Sequence, residues 1–355
     1  MEICDENELI FEDLESEEDD EQTDTAGYKI NTYGADFVLQ TLVSKIKDRE
    51  ITIPRFQRKY VWTKKKASKL IESFLLGLPV PQIFLYKSEK SESLLAVDGQ
   101  QRLRTIEYFF DGKYEDGSSF FLVNVKQKWE GKDFEHLEET EKRKLKNCVL
   151  RATIFEQTDP KDHKSVLEIF QRLNTGGVSL TAQEIRNCVI QGKLNNFLEE
   201  LNKYKNWRIL LGKYNPDLRM RDIEMLVRFF ALLEGWEKYK KPMKDFLEDY
   251  MEDNKNLDEK KANELSEKFK KTIDIIKEEL GERAFRPRGI NVSIFDSISV
   301  AIATLGENRK ENLKEAYQNL VKKENEAYWG AVQKSTTDTD RVKSRIKLAR
   351  SSFAK

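Results

Sequence analysis

The chain has 355 residues, of which 39% are hydrophobic and 35% charged, and its formal net charge is −1. No window approaches the roughly 18 consecutive apolar residues that a membrane span requires, the N-terminus shows no basic region followed by an apolar one, and Cys4, Cys148 and Cys188 stand in no paired spacing. A cytoplasmic protein without membrane anchor, disulfide framework or secretory leader is expected.

The small net charge conceals a segregation along the chain. Residues 1–24 hold thirteen carboxylates and no lysine or arginine, so 62 basic residues face 50 acidic ones in the remainder, a surplus of +12. Such an acidic block buries too little apolar area to fold alone, and residues 1–27 are expected to be a disordered tail. The tail is either a solubilising appendage or a polyanion mimic that folds back on the basic body, which attracts nucleic acid.

Beyond the tail, Pro54 to Trp62 mixes cations with aromatics in no simple period. Ala67, Leu70, Ile71, Phe74, Leu75 and Leu78 fall on one helical face after a Thr63 cap, and Gly77 and Pro79 close that helix. Gln82 to Tyr86 and Leu94 to Val97 read as a hairpin, with a helical stripe at Leu103, Ile106 and Phe110. Phe120 to Val125 and Val149 to Phe155 read as further strands around a helix within 135–146, and a second amphipathic helix covers Pro160 to Leu173. Thr181 with Glu184 three places on forms a capping box. After Asn195 no alternating run is evident, and six stretches between Asp217 and Ala349 carry helical periodicity. The expected architecture is α+β: a mixed domain over 28–192, then an all-helical domain over 193–355.

Three constellations can carry chemistry. Asp98-Gly99-Gln100-Gln101-Arg102 takes a strand straight into a helix, which presents unpaired backbone N–H groups to an anion; Gly99 permits close backbone approach and Arg102 adds a forked cation. The same residues also suit plain capping, with Asp98 as N-cap and Gln101 completing the box, an explanation that leaves Gln100 unused. Gln57 and Arg58, among Phe56, Tyr60 and Trp62, suit a nucleotide or nucleic-acid strand, although aromatics at this density mostly pack. Arg172 and Asn174, beside the Gly176-Gly177 turn, and Arg186 in the following helix can complete a phosphate pocket, although the glycines also serve simply to end a helix. With His136 and His163 as the only histidines, no zinc, iron or histidine-metal nuclease site can be assembled, and no Gly-Lys-Ser/Thr phosphate loop is present.

Residues Ile53 to Trp62, the Gly77-Leu78-Pro79-Val80-Pro81 bend, Val97 to Thr105 and Phe170 to Asn187 together resemble the GmrSD-type, ParB-like domain, in the family's order over roughly Phe37 to Asn195. The resemblance implies a ParB/sulfiredoxin-like fold and a role in restriction of modified or invading DNA. It further implies a nucleotide site lined by Asp98, Gln100, Gln101 and Arg102, with Gln57 and Arg58 facing it. Together with the residue reading above, the expected ligand is a nucleoside triphosphate bringing Mg²⁺, bound by Gln57, Arg58, Gly99, Gln100, Arg102, Arg172, Asn174 and Arg186, with Asp98, Gln101 and Arg102 as candidate catalytic groups. Family members often work with a His-Asn-His nuclease domain. This chain lacks the histidines for one, so DNA and a separate nuclease or effector subunit are the expected partners. Alternatives are a non-enzymatic DNA-binding or antitoxin-like protein and a nuclease built from scattered carboxylates.

Overall fold

The computed structural model describes residues 11–12, 30–53, 60–87, 93–158, 166, 169–170, 172–173, 181–286 and 289–355. The chain divides into two compact units, Ala26–Leu180 and Thr181–Lys355, the second joined by Met1–Thr25. The fold class is α+β, with a helical C-terminal region.

The first unit is built on strands β2 (Ile30–Val38), β3 (Ile51–Thr52), β4 (Ile83–Lys87), β5 (Leu94–Asp98) and β6 (Val149–Gln157), in the order β2-β6-β4-β5-β3. β2 runs antiparallel to β6 over the full register from Ile30↔Gln157 to Val38↔Val149; β6 is parallel to β4, β4 antiparallel to β5, and β5 parallel to β3. Strand alternation sends Ile83, Leu85, Leu150, Ala152 and Ile154 to one face. There they form a single core with α1 (Leu39–Lys47), α2 (Lys64–Leu76), α3 (Gln100–Asp111) and α4 (Glu139–Asn147). On the opposite face Tyr86, Phe155 and Phe170 pack ring against ring at 5.6–6.0 Å.

Thr63 caps α2 as expected, accepting from Lys66 N at 3.3 Å, and Gly77 ends it at φ 74°. Phe120 to Val125, expected as a strand, is irregular. Phe120 and Leu122 are fully buried and their N–H groups donate to the Gly112 and Lys132 carbonyls (2.9 Å each), but the donors that follow go to side chains: Val123 N to Ser68 Oγ (3.0 Å), Asn124 N and Val125 N to Glu130, and the adjoining Lys126 N to Glu72 Oε1 (2.7 Å). Apolar alternation here anchors a loop on α2 instead of pairing a strand.

The second unit consists, among the described residues, of α5 (Ala182–Val189), α6 (Lys193–Asn202), α7 (Lys205–Leu211), α8 (Arg221–Gly235), α9 (Met243–Asn254), α10 (Glu259–Ile275, continued by a π turn to Leu280), α11 (Val292–Leu305), α12 (Leu313–Leu320), α13 (Glu326–Gln333) and α14 (Thr339–Phe353). The division between the units precedes α5 because that helix buries Ile185, Arg186 and Cys188 and packs on α8. Two residues of the acidic segment belong here too: Phe11–Glu12 (β1) pair in parallel with Ile290–Asn291 (β7). The rest of residues 1–27 lie outside the described residues. None of the described helices is long and apolar enough to cross a membrane.

α11 is buried on nearly every side and carries Asp296, wholly inaccessible, into the core. Its carboxylate takes Arg228 Nη2 of α8 at 2.8 Å and Arg345 Nη2 of α14 at 2.7 Å, so one anion ties three helices together. Removing one partner of such a buried group leaves the others uncompensated. Asp296→Ala, which strands two buried guanidinium groups, should cost about 3–5 kcal/mol of stability, read from the shift in urea midpoint.

Candidate functional site

The turn between β5 and α3 is set by sterics. Gly99 sits at φ 97°, where L side chains are strained, and a Cβ there would lie 2.3 Å from Ile83 Cγ2 on the neighbouring strand. The space expected to admit a ligand beside Gly99 is therefore filled by Ile83. Asp98 is the last residue of β5 and does not cap the helix: α3 has Gly99 as its N-cap and no side-chain cap bond. The first-turn N–H groups of α3 are thus left without the side-chain acceptor that capping would supply.

Gln101 does not complete a capping box either. Its Oε1 accepts from Val61 N (3.0 Å) and Trp62 N (3.3 Å), fastening that segment to the helix start. Tyr60 follows suit through a 2.8 Å hydroxyl contact with Thr105 Oγ1, and its ring packs with Tyr108 and Tyr114. Burial pushes the Tyr60 and Tyr114 phenols above their ordinary range, which keeps this cluster uncharged. Arg102 is mostly buried. Its Nη2 donates to Asp98 Oδ2 at 2.7 Å and to the Gln82 carbonyl at 3.2 Å, while its buried Nε has no hydrogen-bond partner. Gln100 Oε1, the group the capping explanation leaves unused, is also buried without a partner.

The structure therefore brings Asp98, Gly99, Gln100, Gln101 and Arg102 together on one turn. Gln57, Arg58 and Asn174 lie outside the described residues. Arg172 is an exposed residue of a short helical stretch. Arg186, expected in a phosphate pocket, is instead fully buried in the helical unit, where its Nη2 lies 3.0 Å from Glu224 Oε2 and its Nε donates to Gln183 Oε1 at 3.0 Å. A guanidinium enclosed and paired in that way is a structural ion of the helical unit. Gln82 was missed by sequence reasoning, although a lone polar residue between Pro81 and an apolar strand is its signal. Among the described residues no group of three or more His, Cys, Asp or Glu is placed to hold a metal ion.

The first unit is thus an α+β domain in which a strand passes through a positive-φ glycine into a helix that has no side-chain cap and carries an arginine in its first turn. Residues 39–191 match the family described as GmrSD restriction endonuclease, N-terminal domain. No curated protein matches the chain.

Gly99→Ala should destabilise by about 1–3 kcal/mol, because overpacking on Ile83 adds to backbone strain; the thermal midpoint measures it. The Thr181–Glu184 capping box is present, with Thr181 N donating to Glu184 Oε2 at 2.6 Å and Glu184 N donating to Thr181 Oγ1 at 3.1 Å. Burial pushes the Glu184 carboxyl up to about 7, against the opposing effect of the Thr181 hydrogen bond and Arg219. The folded state then binds more protons than the unfolded one between about pH 4.5 and 7, so this group makes stability fall as pH rises through that window. Glu184→Gln, which keeps a capping side chain, should flatten that decline in denaturant titrations at pH 5, 6, 7 and 8.

Proposed function

We propose that this chain is a nucleotide-binding, DNA-sensing or regulatory subunit of a bacterial restriction or anti-phage system, acting with a separate nuclease. The restriction context follows from the GmrSD N-terminal domain. The observation that carries the nucleotide reading is the start of α3. Its N-cap is a glycine with no side-chain acceptor, and Arg102 stands in the first turn. A phosphate there would be held by backbone donation, the helix dipole and a charge-assisted bond to the guanidinium. Gln57 and Arg58 are proposed to face the same ligand, and Arg172 to add a cation. Mg²⁺ would arrive with the triphosphate, as is usual in phosphoryl transfer. Only two histidines are available to the whole chain, so DNA cleavage is assigned to the partner.

A second reading, binding without turnover, is favoured by one contact. Asp98, the carboxylate best placed to act on a bound phosphate, already accepts from Arg102. To act on a phosphate or a water, that oxygen would first have to give up its bond to the guanidinium.

Calorimetric titration of the full chain with ATP, GTP and CTP in the presence of Mg²⁺, alongside phosphate-release assays, tests both readings. Arg102→Ala should weaken triphosphate binding by roughly tenfold or more while circular dichroism shows an intact fold. Unchanged affinity in a folded variant would sink the nucleotide reading; binding without phosphate release would select the second.

A further inference from the structure

Beside the β5–α3 turn lies a depression that the phosphate reading leaves unused. Register places it at the same end of the sheet. Phe84 stands opposite Asp98, Ile83 opposite Ala152 and Asp36 opposite Arg151, so the end of β5, the starts of β4 and β6 and the end of β2 are adjacent. A polar ladder crosses these strands. Asp36 Oδ1 accepts from Arg151 Nε at 3.2 Å, Gln82 Oε1 accepts from Thr153 Oγ1 at 3.3 Å, and the Gln82 carbonyl accepts from Arg102, which holds Asp98.

The depression encloses about 440 Å³, within the 300–1,000 Å³ usual for small-ligand sites. Phe74, Leu78, Val80 and Val149 give it an apolar wall, and Gln82 and Arg151 stand among its lining residues. Leu78 and Val149 are 52% and 50% exposed, so the apolar wall is open to a ligand from solvent.

We propose that this depression holds the base and sugar of the nucleotide whose phosphates the β5–α3 turn receives, an inference that rests on the nucleotide reading above. A nucleobase has two largely apolar faces and a polar edge. Leu78 and Val149 cover such a face, the Gln82 amide meets the edge with a donor and an acceptor, and the Arg151 guanidinium stacks on a π-system. β5 and β6 flank β4, so Asp98 and Arg151 stand about two strand spacings apart, roughly 10 Å, a distance that an extended nucleoside triphosphate bridges. Gln82 couples the two halves, its side chain lying on the depression and its carbonyl fixing Arg102. Base discrimination and phosphate grip would then share one residue.

The test compares binding of ATP, GTP and CTP with binding of inorganic tripolyphosphate, all with Mg²⁺, to the full-length wild type, Leu78→Asp and Gln82→Ala. Leu78 is half exposed, so the aspartate is compatible with folding, and Gln82→Ala keeps the carbonyl that holds Arg102. The wild type should bind at least one nucleoside triphosphate ten or more times more tightly than tripolyphosphate. Leu78→Asp should bring that nucleotide to the tripolyphosphate level without changing tripolyphosphate affinity, and Gln82→Ala should narrow the preference among bases. Equal affinity of the wild type for tripolyphosphate and nucleotides, or an unaltered preference in Leu78→Asp, would overturn the depression as a base site while leaving the phosphate turn intact. If the folded wild type binds neither, the nucleotide reading falls and takes this inference with it.

Discussion

Contact between the Gly99 backbone and Ile83 organises the end of the sheet on which the candidate site stands. Because no Cβ intervenes, β5 can turn at φ 97° while pressed against β4, and α3 begins one residue later. That single close approach places the first turn of α3 over the strand ends, puts Arg102 within reach of both Asp98 and the Gln82 carbonyl, and sets Gln101 beside the Tyr60–Trp62 segment. Each of these bonds needs the helix start to be where sterics hold it. The glycine is thus a packing requirement first, and its value to a ligand is indirect: it aims donors that a bulkier residue would displace.

The helical unit solves a different problem with charge. Asp296 joins α8, α11 and α14 where no solvent reaches, and Asp222 similarly gathers Arg208 and Asn202 in a buried network. Buried ions of this kind do little for net stability, since desolvation offsets much of the attraction, but they penalise any packing that leaves one unpaired. Arg186 belongs with them. From sequence an arginine one turn into a capped helix looks the same whether it faces a phosphate or a glutamate inside the core; only the position of Glu224, thirty-eight residues on and on another helix, decides.

Legibility followed the range of the interactions. Helices with local punctuation, such as α2 between Thr63 and Gly77 and α5 behind the Thr181–Glu184 box, were readable because cap, stripe and stop lie within one segment. The β4–β5 hairpin and β6 were readable from β-rich runs. β2 was not, because an edge strand with most residues exposed, INTYGADFV, carries no apolar alternation. The two-residue β1–β7 pair was invisible for another reason: parallel partners some 280 residues apart leave no local pattern, so the docking of Phe11–Glu12 onto the helical unit could not be foreseen. Phe120 to Val125 shows the converse, a strand-like run whose hydrogen bonds went to the Gly112 and Lys132 carbonyls and to the Ser68 and Glu130 side chains, with no neighbouring strand among the described residues. For the site, the turn itself was legible as a motif, but the partners of its side chains were not. Gln101 reads equally as a capping residue, and its two backbone donors come from forty residues upstream.

The Asp98–Arg102 pair determines how such a turn can receive an anion. With Asp98 two-fifths exposed, the pair lies at the edge of solvent and not in the core. Ion pairs in that setting contribute about 0–1 kcal/mol, because water competes for both ends. The helix start beside the pair has a glycine N-cap that offers no side-chain acceptor, and the Arg102 Nε is buried behind it without a hydrogen-bond partner. The Gln82 carbonyl meanwhile keeps the guanidinium in place through Nη2. The Asp98 contact is thus one for which solvent competes, while the Gln82 contact holds the guanidinium to the sheet.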